Sequence, residues 1–310
     1  MKVAILAGLA CLPGTTASSP ALEQQVQQVA TLGTARSVHT ATTLPSGQVL
    51  LAGGMASGGG SLASVELFDP ARNTVQVLGS LSERRAGHTA TLLRDGRVLI
   101  AGGYDGGYLG SLEIFEPGTR RFRPAGALIE GRSGHTATLL PDGRVLIIGG
   151  VGRGWTFLSS AELYDPETGR SELARSMSVP RESHTATLLA DGRVLVIGGA
   201  DRTDRRFYNT TEVYDARTGR FEPGPRMANE RYKIAGTTVL LGSGAVLVAG
   251  GAQAAEVLDL ATWSFREVSG RFPEAFHFAT TASLQGGGVL IAGGYSDGNH
   301  PTAGVWRFQP

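Results

Sequence analysis

Six glycine doublets divide this chain into units of nearly equal length. Successive doublets are separated by 49, 47, 49, 52 and 43 residues. A period near 50 residues is typical of a small β-sheet unit rather than of a helical repeat. A length of 310 residues would otherwise suggest two domains, but the repeats predict one continuous array. The doublets are Gly53-Gly54, Gly102-Gly103, Gly149-Gly150, Gly198-Gly199, Gly250-Gly251 and Gly293-Gly294.

The third unit shows most clearly what is repeated. Residues 135–140 predict a short strand, and Asp142-Gly143 supplies a tight turn. Residues 145–148 form an apolar run, which is typical of a strand covered on both faces. A third and a fourth strand follow after a loop. In the last two units the same pattern predicts first strands at residues 234–238 and 277–281.

Four short strands per unit, repeated six times without helical periodicity, predict an all-β fold. We expect a six-bladed β-propeller with four-stranded antiparallel blades. The sixth unit stops at its third strand, whereas residues 26–32 have the spacing of a fourth strand with no first three strands before it. This N-terminal strand is therefore expected to complete the last blade and close the ring, because an open ring would leave an exposed strand edge.

The N-terminus resembles an export signal. Met1-Lys2 is followed by an apolar run and then by small and polar residues. We expect a signal peptide at residues 1–17, a linker at 18–23 and the propeller at 24–310, which predicts a secreted or periplasmic protein. Acylation of Cys11, as in a lipoprotein, is the alternative. Because Cys11 is the one cysteine of the chain, the mature protein would have neither disulfides nor thiolate metal ligands.

Composition narrows the range of partners. The formal charge of +1 and the lack of a long basic run argue against a dedicated nucleic-acid binder. The apolar run near the N-terminus is too short for a transmembrane helix, which needs roughly 20 residues. We expect a monomer whose partner is a protein or a glycan.

The residues resemble the kelch repeat family over about residues 24 to 310. The resemblance lies in the glycine doublets, the fourth-strand hydrophobes and the aromatic residue near the end of the third strand. Two positions depart from the kelch pattern. Ser171 is the weakest match to the fourth-strand hydrophobe, and Leu258 replaces the third-strand aromatic in blade five. The repeated motif Arg-x-x-His-Thr-Ala-Thr-Leu resembles bacterial secreted kelch-like proteins more than animal adaptor domains. The aromatics are Phe68, Phe115, Tyr164 and Tyr214.

Residues that recur in every unit are expected to form the scaffold. An arginine stands three residues before a histidine in four units, as Arg132 does before His135, and a glutamate recurs in the third strand, as Glu162 does. One histidine per blade places neighbouring copies too far apart to converge on one metal ion. We therefore expect structural hydrogen bonds for the histidines and ion pairs between the glutamates and the arginines.

The candidate binding residues lie where the repeat breaks, in the loops between second and third strands and in the adjoining connection of blade five. Aromatic and arginine side chains on loops of a rigid scaffold are typical of binding hot spots. Trp155 is the most telling, because a glycine-flanked loop has little packing reason to hold a tryptophan. The candidates are Arg153, Trp155, Phe157, Arg205, Arg206, Tyr208, Arg231, Tyr232, Lys233, Tyr104 and Tyr295.

These features favour an exported, non-enzymatic binding module that engages a protein or a glycan through the loop face. Two alternatives remain open: a sugar-modifying enzyme of the epimerase, mutarotase or lyase kind with a site at the channel mouth, and a structural module without a ligand. No cofactor, metal or catalytic residue is predicted. Galactose-oxidase-like copper enzymes, which also have a kelch fold, need a cysteine cross-linked to tyrosine, and Cys11 lies outside the repeats. The repeated Asp-box of sialidases is not in the sequence.

Overall fold

The protein consists of short antiparallel strands. The computed structural model describes residues 30–201, 206–277, 280–283, 288–292, 295–296 and 305–309. Within these ranges there is one 3₁₀ turn, Arg153–Trp155, and no α-helix. No helix in the described part of the chain is long and apolar enough to cross a bilayer. Five sheets have four strands each, and a sixth has three described strands, which confirms the predicted all-β, six-bladed architecture.

The first three blades share one pattern, in which each strand pairs with the next along the chain. Blade one comprises Thr40–Thr43, Val49–Ala52, Ser64–Asp69 and Thr74–Ser80; blade two comprises Thr89–Leu92, Val98–Ala101, Ser111–Glu116 and Arg121–Ala127; blade three comprises Thr136–Leu139, Val145–Ile148, Ala161–Asp165 and Arg170–Leu173.

The last three blades continue this order, and two small hairpins are added to blades three and six. Blade four comprises Thr185–Leu188, Val194–Ile197, Thr211–Asp215 and Arg220–Pro223; blade five comprises Thr238–Leu240, Val246–Val248, Glu256–Asp259 and Ser264–Glu267; blade six comprises Thr280–Ser283, Val289–Ala292 and Val305–Phe308. The hairpins pair Val151–Gly152 with Thr156–Phe157 and Phe276–His277 with Tyr295–Ser296.

The core lies between neighbouring sheets. Five buried apolar clusters join blades one and two, two and three, and so on to blades five and six. In blade three Val145 and Ile147 pack towards blade two, whereas Leu146 and Ile148 pack towards blade four. This explains why the second strand is apolar at every position. The first strands of successive blades contact one another in the same order, so the sheets are arranged radially.

Blade five departs from the predicted register. The N–H and the Oγ1 of Thr237 both donate to the carbonyl of Ile234, at 3.1 and 2.7 Å. This turn delays the first strand, which begins at Thr238 rather than at residue 234. Ile234 is buried in the cluster between blades four and five, so an apolar side chain and a short turn replace the strand start seen in the other blades.

Blade six also departs from the prediction. His277 pairs with Tyr295, just as Ala86 pairs with Tyr104 in blade two. Its place is therefore two residues before the position of the repeated histidine, and the first strand begins at Thr280. The expectation that residue 277 opens this strand was wrong.

The N-terminal segment reaches blade one in the manner of a blade-to-blade connection. The N–H groups of Gly33 and Thr34 donate to the carboxylate of Glu66 at 2.7 and 3.1 Å. The N–H groups of Ile129 and Glu130, which follow the fourth strand of blade two, bind Glu162 in the same way. Most of the predicted closing strand at 26–32, the signal peptide at 1–17 and the linker at 18–23 lie outside the described residues and stay predictions.

Candidate functional site

The repeated arginines and glutamates are buried scaffold. In blade three, Nη1 of Arg132 donates to the carbonyl of Gly149 at 3.0 Å, and Nη2 lies 2.7 Å from Oε1 of Glu162. The carboxylate also accepts two N–H groups of the preceding connection. The expected pairing of glutamates with arginines is thus confirmed in five blades: Arg36–Glu66, Arg85–Glu113, Arg132–Glu162, Arg181–Glu212 and Arg231–Glu256.

Arg231 must be removed from the candidate binding residues. Its side chain is fully buried, and Nη2 lies 2.9 Å from Oε1 of Glu256. Burial lowers the pKa of Arg231, and the charge of Glu256 opposes this shift. The loss of the neighbouring histidine in blade five made Arg231 look exceptional in the sequence. In the structure it has the same role as Arg132.

The repeated histidines join blades to one another. Nε2 of His88, His135 and His184 lies 2.9–3.0 Å from the Oγ1 of a threonine in the preceding blade. Burial and then a nearby arginine lower the pKa of His88 and of His184 to about 3, and the pKa of His135 also falls well below its usual value. These imidazoles are neutral at physiological pH. Across the described residues, no three His, Cys, Asp or Glu side chains are placed to hold a metal ion.

One end of the blades gathers the irregular segments into a loop face. We define the loop face as the loops between second and third strands together with the connections into the first strands. Isolated bridges join these two kinds of segment in successive blades: Ser37 with Met55, Ala86 with Tyr104, Ser133 with Val151, and Glu182 with Ala200. The predicted location of both segments at one end is therefore correct.

An aromatic cluster lies on the loop face of blades two and three. The rings of Tyr104 and Tyr108 meet edge to face with centroids 5.2 Å apart, and Tyr108 meets Trp155 at 6.3 Å and 88°. Burial raises the pKa of Tyr108, and Tyr104 and Glu182 add to the shift. Tyr104 and Trp155 are among the candidates predicted from the sequence, whereas Tyr108, which forms the contact between them, is not. We call Tyr104, Tyr108 and Trp155 the aromatic cluster.

Trp155 is presented by a braced turn. It closes the 3₁₀ turn that begins at Arg153, and the pairing of Val151 with Phe157 holds the two sides of this turn together. Phe157 is half-buried, whereas Arg153 is exposed. Trp155 is 69% exposed and has a φ of 59°, which is unusual for a bulky side chain. Its conformation and exposure fit a surface role better than a packing role.

The remaining candidates belong to blades four to six. Tyr232 stacks on Phe207 at 4.9 Å and 6°, and its ring also lies 6.3 Å from that of His277 and 5.0 Å from Nζ of Lys233. Phe207 and His277 are not among the candidates predicted from the sequence. The displacement of His277 from the repeated histidine position was the signal that could have identified it.

Three predicted residues of this region have other placements. The guanidinium of Arg181 lies over the ring of Tyr208, 5.0 Å from the centroid of that ring, and the backbone of Tyr208 forms an isolated β-bridge with Arg231. Tyr208 therefore contacts the scaffold. Arg206 is exposed beside it. Arg205 lies outside the described residues. For Tyr295 only the backbone is described, paired with His277.

Comparisons with known proteins agree with this geometry. A family model described as Kelch motif matches residues 132–178 and 183–228, the third and fourth repeats. Among solved structures, the one titled "Structure of YjhT" has a TM-score of 0.69 and 13% sequence identity, and the match covers 88% of this chain and 94% of that chain. No curated protein shows significant sequence similarity to the chain. The chain therefore contains two repeats that match the Kelch motif, within an array of sheets that is similar in fold to that structure.

Proposed function

We propose that this chain is an exported, non-enzymatic module that binds a protein or a glycan through the loop face. The observation that carries the proposal is Trp155. A large ring that is 69% exposed, with a positive φ and its plane perpendicular to that of Tyr108, contributes little to the fold of the free protein. Exposed aromatic side chains held rigidly are typical of binding hot spots.

The repeated residues lie in the interior and the variable residues lie in the loops, which supports this proposal. The arginine, histidine, threonine and glutamate side chains that recur in the blades bind one another or the backbone in the interior. The loops differ from blade to blade, and they carry the aromatic cluster and the Phe207–Tyr232 stack. Function commonly lies in such loops on a rigid scaffold. Export is supported by the sequence pattern of residues 1–17.

The test compares ligand capture by the chain from residue 18 onward with that by the double variant Trp155→Ala/Arg206→Ala. A glycan array and a cell-surface pull-down provide the ligands. Both residues are exposed, so the variant should fold normally, which circular dichroism can check. Leu173→Ala is the matched control, because Leu173 is equally exposed but lies on an outer strand.

We expect the double variant to lose capture and the control to retain it. Equal capture by all three proteins would retire the loop face as the binding surface. Chemical conversion of a captured sugar, followed by product analysis, would instead favour the enzyme alternative.

A further inference from the structure

Polar groups without protein partners surround the aromatic cluster. Within the described residues, the side chains of Tyr104, Tyr108, Asp105, Arg153 and Trp155 form no side-chain hydrogen bond or ion pair. At the opposite end of the blades, acidic and basic side chains pair within the turns, as Asp95–Arg97, Asp142–Arg144 and Asp191–Arg193 do. The aromatic cluster therefore offers both hydrogen-bond donors and acceptors to an external molecule.

The loop that carries Tyr104 and Tyr108 is also open. A Cβ atom added to Gly107 would meet no atom within 4 Å, and its backbone is not in the left-handed region. Neither crowding nor backbone conformation requires glycine there. The lack of a side chain leaves free space next to Tyr108, in the same loop as the unpaired carboxylate of Asp105.

This surface carries charges of both signs, and the carboxylate of Glu182 also acts on Tyr108. Asp105 stands in the loop of Tyr104 and Tyr108, and Arg153 stands two residues before Trp155; both are exposed. Trp155 is the most exposed large apolar side chain of the loop face, and Val38 and Ile129 are also exposed there, in the connections into first strands. A stable protein interface buries about 800 Å² on each partner, which is far more than these separate side chains supply. One ring with a few polar groups suits a small unit that has both an apolar face and hydrogen-bonding groups.

We propose that the aromatic cluster, with Asp105 and Arg153, is a binding subsite for an uncharged sugar residue of a glycan. A pyranose ring has an apolar C–H face, which packs on the Trp155 indole, and a rim of hydroxyl groups that both donate and accept hydrogen bonds. Asp105 accepts from these hydroxyls, and Arg153 and the tyrosine hydroxyls donate to them. The inference rests on the proposed binding function and names its ligand class.

The experiment screens the chain from residue 18 onward on an array of neutral and acidic oligosaccharides. Titration calorimetry then measures the affinity for the best neutral oligosaccharide. We expect Trp155→Ala to weaken binding at least tenfold and Asp105→Asn to weaken it severalfold. Trp155→Phe, which keeps an aromatic face, should retain part of the affinity. Leu173→Ala should bind as the unaltered protein does.

Three results would overturn the assignment in distinguishable ways. Unchanged sugar affinity in Trp155→Ala would place the sugar elsewhere on the protein. Binding to acidic oligosaccharides alone would contradict an uncharged ligand. If the protein binds no glycan but captures a protein in a manner abolished by Trp155→Ala, the ligand class is wrong while the proposed binding function through the loop face stands.

Discussion

The guanidinium of Arg132 and the carboxylate of Glu162 form an ion pair that is fully buried inside the ring, with 2.7 Å between Nη2 and Oε1. Blade six has aromatic residues at the two positions that this ion pair occupies in blade three. Trp306 pairs with Ile291 in the register in which Glu256 pairs with Val248, and Phe276 stands at the arginine position. The ring of Trp306 packs against Phe272 at 5.2 Å. The fold therefore tolerates an apolar residue at the glutamate position.

Removing one partner of this pair should be more harmful than removing both charges. We expect Glu162→Leu to lower the free energy of unfolding by about 3–5 kcal/mol, because it removes the buried partner of Arg132 and leaves only the partly exposed carboxylate of Glu130, 3.8 Å away. The double variant Arg132→Met/Glu162→Leu should recover part of that loss. Urea unfolding of the two single variants and the double variant measures the coupling. A double variant less stable than Glu162→Leu alone would contradict this account.

The threonine–histidine contacts between blades allow a matched comparison. Thr136 Oγ1 lies 2.9 Å from Nε2 of His184, so Thr136→Val should cost about 1–3 kcal/mol by leaving a buried ring nitrogen without its partner. Thr185 occupies the same position in blade four, but the next blade has Ile234 where the histidine would be. We expect Thr185→Val to change stability little. Thermal melts of both variants measure this difference. Equal losses of stability in the two variants would argue against a stabilising contact between Thr136 and His184.

Acid should weaken the fold through the buried histidines. In the unfolded chain these histidines take up protons once the pH falls below their usual pKa of 6.5. In the folded protein the pKa of His88 and of His184 is about 3, so both stay neutral until the pH approaches that value. Their contribution to stability is complete above pH 6.5 and is lost as the pH falls from 6.5 towards 3. For each of these histidines, the free energy of unfolding falls by up to about 1.4 kcal/mol per pH unit in this range.

The measurement that isolates this effect uses His184→Gln. Urea unfolding at pH 7, 6 and 5 gives the slope of stability against pH for the unaltered protein and the variant. We expect the variant to be less stable at pH 7 but to have a shallower slope between pH 6 and 5. Identical slopes would mean that His184 titrates in the folded protein near its usual pKa.

Loss of the predicted closing strand should destabilise the ring. A chain that begins at Gly33 lacks residues 26–32 but keeps the Thr34 N–H group that binds Glu66. A chain that begins at residue 24 is its control. We expect the shorter chain to melt several degrees lower, because the sixth sheet would keep an unpaired edge. Equal melting temperatures of the two chains would refute closure by this strand.

The fold followed from the sequence because every blade repeats the same local rules. The turn at Asp142-Gly143 and the apolar run from Val145 to Ile148 specify a hairpin by themselves, and six copies specify the ring. The register of blades five and six was harder to predict. A two-residue turn after Ile234 has no distinctive composition, and His277 mimics the repeated histidine while lying two residues from its position.

The candidate site was predictable only in part. Trp155 stood out because it closely follows Gly152 and Gly154 in a loop of variable length. Tyr108 gained importance only when the structure placed its ring between Tyr104 and Trp155, which lie on different blades. Arg231 was misassigned for the opposite reason. Its unusual neighbours suggested a surface role, although its own position follows the repeat and is buried.

In blades one to five, the connection that precedes the blade supplies N–H groups for the glutamate of that same blade, as Ile129 and Glu130 do for Glu162. The self-contained building block is therefore not the four-stranded sheet but a segment shifted towards the N-terminus, such as residues 129–177. Junctions for exchanging blades between proteins of this kind belong just after Leu128 and just after Met177. A junction at the start of a first strand would instead place each buried carboxylate and its amide donors in different modules.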